Sequence, residues 1–282
     1  MSEIDALVDA VAERVRQRMQ QQEVPPVETL RGTWYDESAL NIWLKNGVDR
    51  FGSDGSSAGP NVGQVGRAID HTMLKPTATR EDSVKVCKEA VRHNFASVCI
   101  NTTWLPLAKD MLRGSKVMAI CVVGFPLGAA LTSAKVGETR DAIRIGADEI
   151  DMVINIGALK SNDYDLVLED IRQVVQAAKG RPVKVILETS MLNREEKIAG
   201  CALSKAAGAA FVETSTGFGG GGATVEDIRL MRQVVGPDLG VKASGGVRSL
   251  EDAKALMAAG ATRLGCSAGV AIVSGGKGTG GY

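Results

Sequence analysis

From Val65 onward this chain alternates short apolar runs with amphipathic stretches, eight times over. The strand candidates are 65–70, 95–100, 116–123, 149–154, 183–188, 211–214, 240–243 and 262–266. Helical periodicity falls between them, near 79–93, 103–113, 131–146, 163–178, 193–207, 224–235 and 249–260, with a short stretch at 268–273. The strands read as near-continuous apolar runs, as strands covered on both faces do. Eight such units point to a closed (β/α)8 TIM barrel. An open, doubly wound sheet is the other architecture this alternation allows.

A chain of 282 residues is long enough for such a barrel, which takes roughly 250. With 44% apolar residues, 23% charged residues and zero formal net charge, it has a soluble globular profile. That balance gives no basic excess for nucleic acid, and no apolar run is long enough to span a membrane. The N-terminus lacks the basic-then-apolar order of a secretory signal. The five cysteines are scattered with no CxxC pair, so reduced, buried thiols in a cytoplasmic protein are expected, with no disulfide and no metal site.

In a barrel of this kind the chemistry belongs at the C-terminal ends of the strands. Few polar residues fall there: Asp70 in the first unit, Cys99 in the second, Asp151 in the fourth, Lys184 and Glu188 in the fifth, Glu213 in the sixth and Lys242 in the seventh. The run Phe211 to Phe218 joins an apolar strand to the hydroxyls Thr214, Ser215 and Thr216, then Gly217, then Gly219 to Gly222. Gly245, Gly246, Gly265 and Ser267 follow the last two strands. Small hydroxyls and bare backbone N–H groups suit a phosphate. A lysine isolated on an apolar strand suits covalent attack on a carbonyl, because burial or a neighbouring cation favours the neutral amine. Alternatively, these charges pair inside a barrel layer and only hold structure.

Residues 65–282 resemble the deoxyribose-phosphate aldolases, a class I aldolase family on a (β/α)8 barrel. The motifs that carry the resemblance include Ile69-Asp70-His71-Thr72-Met73-Leu74-Lys75-Pro76, Gly146-Ala147-Asp148-Glu149-Ile150-Asp151-Met152-Val153-Ile154-Asn155, Thr214-Ser215-Thr216-Gly217-Phe218 and Val241-Lys242-Ala243-Ser244-Gly245-Gly246-Val247-Arg248. The resemblance implies reversible cleavage of 2-deoxyribose 5-phosphate to acetaldehyde and glyceraldehyde 3-phosphate, with no cofactor, and a homodimer. It also implies that Asp151 is the acid–base group and that Lys242 is the cation that activates a nucleophilic lysine. Thr216, Gly217, Gly245, Gly246, Gly265 and Ser267 fall at its phosphate-binding positions. Cys99 matches a pocket-lining cysteine, and Tyr282 a C-terminal tyrosine that assists proton transfer in some members.

One position departs from the family. The lysine that forms the Schiff base precedes Thr-Ser-Thr-Gly, and here that residue is Glu213. A carboxylate cannot form an imine, and beside Lys242 it would favour the charged ammonium. The chain is then an inactivated variant, a natural member with lost or changed chemistry, or an enzyme in which Lys184 or Lys242 takes over. A catalytically silent sugar-phosphate-binding or shell-associated protein is the non-enzymatic alternative.

Residues 1–22 form an appendage. Ile4, Leu7, Val8, Val11, Val15 and Met19 follow helical spacing over 3–20, and Pro25-Pro26 ends the run. Residues 23–63 read as a linker with a small Trp-containing segment, leaving 64–282 for the barrel. The helix is expected to pack on the barrel or mediate oligomerisation. In form it resembles the encapsulation peptides that direct cargo enzymes to bacterial microcompartment shells, which implies a shell protein as partner and a location inside such a compartment.

Overall fold

The structure, a computed structural model, describes residues 62–278 together with Ala10 and Glu13. The helix expected over 3–20, the tryptophan segment, nearly all of the linker and Tyr282 lie outside the described residues. Eight strands close in chain order: β1 (Ile69–Met73), β2 (Ser97–Ile100), β3 (Met118–Val123), β4 (Glu149–Val153), β5 (Val183–Ile186), β6 (Phe211–Glu213), β7 (Gly240–Ser244) and β8 (Arg263–Cys266). Every neighbouring pair is parallel, and β1 pairs with β8 through Ile69–Leu264 and Asp70–Gly265. The sheet is therefore a TIM barrel and not an open, doubly wound sheet.

The helices begin where short polar side chains cap them. Thr79, Asn193 and Ser249 each make a reciprocal capping box with the acid three residues on, at the starts of the helices Arg80–His93, Arg194–Ala206 and Leu250–Ala258. The first strand is displaced from its expected position. Val62–Arg67 is a helix packed against Leu250–Ala258 and Gly269–Val273, and the strand runs over Ile69–Met73 instead of 65–70. Val65 is apolar because it is buried in that helical contact, so its apolar character did not mark a strand. The short helix Ile156–Lys160 and the 3-10 turn Thr189–Met191 fall outside the expected elements, and the helix expected near 103–113 opens with a 3-10 turn, Thr102–Trp104, before Leu105–Met111.

Alternation along the strands separates two environments. Val98, Ile150, Met152, Val185, Val212, Val241 and Leu264 belong to the large apolar cluster between barrel and helices. Inside the barrel the apolar residues include a small cluster of Leu74, Cys99, Ile120 and Val122, near β2 and β3, with Ile186 and Phe211 on the other side. The rest of the interior carries charge. Phe211 supplies its floor: a Cβ on Gly240 would lie 2.0 Å from the Phe211 ring, so only glycine leaves that ring its place.

A second buried charge pair lies outside the barrel. Lys135 and Asp170, both buried, meet at 2.6 Å and join the helices Thr132–Ile145 and Tyr164–Ala177. Lys135 Nζ also donates to the Val153 carbonyl at 3.0 Å, and Thr132 Oγ1 donates to Asp170 at 2.9 Å. This fixes the C-terminal end of β4, two residues beyond Asp151.

Candidate active site

Because Phe211 faces inward, so does Glu213 two residues later, while Val212 between them faces the helices. The same period aims Asp70, Glu149, Asp151, Lys184, Lys242 and Arg263 into the barrel, where all are buried. Deep in the interior, Arg263 donates to Asp70 at 2.8 Å and to both Glu149 oxygens at 3.2 Å. Ser97 Oγ donates to Asp70 at 2.6 Å. Lys184 pairs with Glu149 and, at 2.8 Å, with Asp151. Lys184 Nζ and the Arg263 guanidinium stand 5.6 and 5.3 Å from the Phe211 ring centroid, close enough for cation–π contact.

Above this tier, Lys242 Nζ lies 2.5 Å from Asp151 Oδ2, 3.0 Å from Glu213 Oε1 and 3.3 Å from Asp70 Oδ2. Cys99 Sγ approaches Asp151 at 3.7 Å. The opening over the cluster is lined by Thr72, Leu74, Cys99, Phe125, Asp151, Glu213, Ser215, Thr216, Lys242 and Gly265, among others. Lys184 and Asp70 lie beneath that lining. The aspartate, both lysines and Glu213 are thus brought together, with Lys184 in the deeper tier, and Arg263 and Glu149, which sequence reasoning missed, complete the cluster. An arginine opening the apolar run Arg263-Leu264-Gly265-Cys266 was the available signal, since a buried cation needs a buried anion.

The charges do not balance. Four carboxylates (Asp70, Glu149, Asp151, Glu213) face three cations (Lys184, Lys242, Arg263). Burial pushes Asp70 and Asp151 upward, but the surrounding cations more than offset it and hold both carboxyls below their ordinary range. Burial pulls the Lys184 and Lys242 amines downward, yet Asp151 and the other carboxylates beside them drive both above the ordinary lysine range. Glu213 absorbs the surplus. Its burial, with Asp151 nearby, outweighs the attraction of Lys242 and raises its pKa to about 7. Burial first, and then Asp151, push the Cys99 thiol well up, so it is a neutral wall of the pocket.

A carboxyl whose pKa is higher folded than unfolded stabilises the fold below its unfolded value, and that stabilisation is lost as pH rises through the folded value. From its ordinary 4.5 to about 7, this amounts to a loss approaching about 3 kcal/mol. Glu213→Gln is therefore expected to gain on the parent in melting temperature between pH 5 and pH 8.5. Parallel melting curves across that range would refute the assignment.

The hydroxyl run after β6 proves largely structural. Thr214 Oγ1 donates to the Ser244 carbonyl at 2.8 Å and accepts from Ser244 N at 2.9 Å, and Ser244 Oγ donates to the Ser215 carbonyl at 2.7 Å. Thr216 donates its hydroxyl, and its N–H at 3.2 Å, to the buried Glu188. Glu188 has left-handed backbone (φ 59°), and its side chain fills the space that a Cβ on Gly219 would need. Thr216, expected beside a phosphate, is thus bound to a carboxylate. Ser215 Oγ is buried without a partner and lines the opening. Gly217, Gly245 and Gly246 all have positive φ, Gly246 and Ser267 are exposed, and a Cβ on Gly265 would lie 2.9 Å from Lys242 Cε. Among the described residues no group of three His, Cys, Asp or Glu side chains has metal-binding geometry, and no helix is long and apolar enough to cross a membrane.

Residues 65–275 match the DeoC/LacD family aldolase model. The chain is 58% identical over 219 residues to deoxyribose-phosphate aldolase of Streptococcus sanguinis, covering 78% of this chain and all of the relative. It is 59% identical over 220 residues to that of Halalkalibacterium halodurans, covering 77% of this chain and 98% of the relative. The tetrameric deoxyribose phosphate aldolase of Aeropyrum pernix superposes with a TM-score of 0.72 at 30% identity, covering 83% of this chain and 96% of the other.

Proposed function

The chain belongs to the DeoC/LacD family of aldolases, and we propose that it is a deoxyribose-phosphate aldolase that holds 2-deoxyribose 5-phosphate but lacks, at Glu213, the amine its reaction requires. In retro-aldol cleavage through an imine, a neutral amine condenses with the C1 aldehyde. A base then removes the C3 hydroxyl proton, the C2–C3 bond breaks, and its electrons pass to the iminium. In our reading Asp151 handles protons, and Gly217, Gly245, Gly246, Gly265 and Ser267 receive the phosphate with backbone N–H groups and a hydroxyl. Glu213 has no nitrogen to condense.

The observation that carries this reading is the state of Lys242, whose ammonium faces Asp151, Asp70 and Glu213 within 3.3 Å. Three carboxylates keep it charged, and a charged amine cannot attack a carbonyl. Lys184 is equally bound and lies below the opening. Calorimetric titration with 2-deoxyribose 5-phosphate, with acetaldehyde release followed in parallel, tests the reading. Binding with negligible release is expected, and cleavage at a rate typical of an aldolase would sink it.

A homodimer, on the strength of the family resemblance, and a shell-directing role for residues 1–22, on the strength of the helical spacing over 3–20, belong to the same proposal. Deleting 1–22 is expected to leave ligand binding intact and to abolish co-localisation with a microcompartment shell. Unchanged localisation overturns that role, and a monomer in sedimentation overturns the dimer.

A further inference from the structure

What stands where the amine would be is a carboxylate beside an ammonium. Glu213 lines the opening, and its Oε2 is buried without a hydrogen-bond partner. Its Oε1 lies 3.0 Å from Lys242 Nζ. Lys242 has three N–H donors, of which Asp151 takes one at 2.5 Å, while Asp70 Oδ2 is left without a hydrogen bond. A donor therefore remains for a ligand oxygen. Facing Glu213 are Lys242 and the Ser244 hydroxyl on β7, Asp151 on β4, Lys184 on β5 and Cys99 on β2; Asp70 on β1 meets the same Lys242 ammonium at 3.3 Å. The pocket thus sets an unpartnered carboxylate oxygen next to a fixed ammonium, the pairing that enolisation of a carbonyl compound needs.

We propose that Glu213 is a general base that removes and returns a C2 proton of open-chain 2-deoxyribose 5-phosphate, with Lys242 donating a hydrogen bond to the C1 carbonyl oxygen. Glu213 Oε2 takes the proton from C2. The C2–H electron pair becomes the C1=C2 bond, and the carbonyl π pair moves to O1, held by Lys242. The reverse step returns a proton from Glu213 after exchange with solvent. No carbon–carbon bond breaks and nothing is oxidised. The inference rests on the substrate reading above, which sets C1 where the missing amine would have met it and so brings C2 to the residue at 213. The base form prevails above about pH 7, where the rate should level off.

The test is proton NMR of 2-deoxyribose 5-phosphate with the parent chain in deuterated buffer, with calorimetric binding measured on the same samples. Loss of the C2 proton signals is expected at roughly 10²-fold or more above enzyme-free buffer, without acetaldehyde. The rate should rise through about pH 7 to a plateau. It should fall to the enzyme-free value in Glu213→Gln, a variant that keeps shape and binding, and Glu213→Ala provides a second reading. Binding without exchange overturns the proton transfer while leaving the substrate reading intact. Exchange unchanged in both variants, or flat with pH, overturns the role of Glu213. Absence of binding overturns the substrate reading and this inference with it.

Discussion

Glu213→Lys is expected to raise cleavage of 2-deoxyribose 5-phosphate on the order of 10³-fold or more over the parent, the scale on which a catalytic nucleophile counts. The reason is the charge count inside the barrel. With Glu213, four carboxylates face three cations, and the surplus is relieved by protonating Glu213. With lysine there, Asp70, Glu149 and Asp151 would face four cations, relieved by deprotonating one amine. The amine at 213 would lose its proton most readily, because Lys242 already has Asp151 at 2.5 Å and Lys184 has Asp151 at 2.8 Å. One substitution thus reverses the excess charge and converts the residue from a proton acceptor for the cluster into a neutral nucleophile. Borohydride reduction in the presence of substrate, followed by peptide mass spectrometry, should trap the adduct at position 213 in the variant only. Trapping at Lys184 or Lys242 in the parent would place the chemistry on another lysine. No reaction in either form would mean that the pocket has diverged into a binding site.

Asp170→Ala should destabilise the fold by about 3–5 kcal/mol, the cost of leaving a buried ion without its partner. Lys135 is fully buried, and with Asp170 gone its ammonium keeps only the Val153 carbonyl at 3.0 Å. Burial already pulls the Lys135 amine down, against the pull of Asp170, so the variant should release that proton more easily. Urea denaturation at neutral pH measures the loss. A loss under about 1 kcal/mol would mean that water or a local shift takes the place of the carboxylate. The paired change Lys135→Met with Asp170→Leu should recover much of the stability, because an apolar pair of similar size avoids the desolvation cost. Because the pair fixes β4 just beyond Asp151, Asp170→Ala placed on the lysine-restored chain should also slow cleavage.

Much of the site was legible in the chain itself. Asp151, Lys184, Glu213 and Lys242 stood out because each interrupts an apolar strand, and burying a charge demands a reason. The helices expected from 79, 193 and 249 onward came from periodicity; the capping boxes of Thr79, Asn193 and Ser249 that start them emerged only in the structure, although their capping groups lie within four residues of one another. Arg263 and Glu149 were missed as members of the cluster because their partners are remote in sequence: Arg263 bonds Asp70 across 193 positions. The role of Thr216 was also hidden, as its hydroxyl meets Glu188, two residues beyond the end of β5 and in left-handed backbone. Val65 misled because burial against a helix and burial in a sheet select the same side chain.

The sequence by itself determined the order of strands and helices, the alternation of inward and outward residues, and the absence of an amine before Thr214, because these follow from local periodicity and residue chemistry. Only the tertiary structure decided which charges meet, and so which group yields a proton. Closure of β1 on β8 brings Asp70 and Arg263 together within 2.8 Å. The shared interior then sets Asp151 against both lysines and leaves Glu213 with the surplus. Coulomb energy depends on distance and on the medium between the charges, and in a closed barrel both are fixed by residues that the chain keeps far apart.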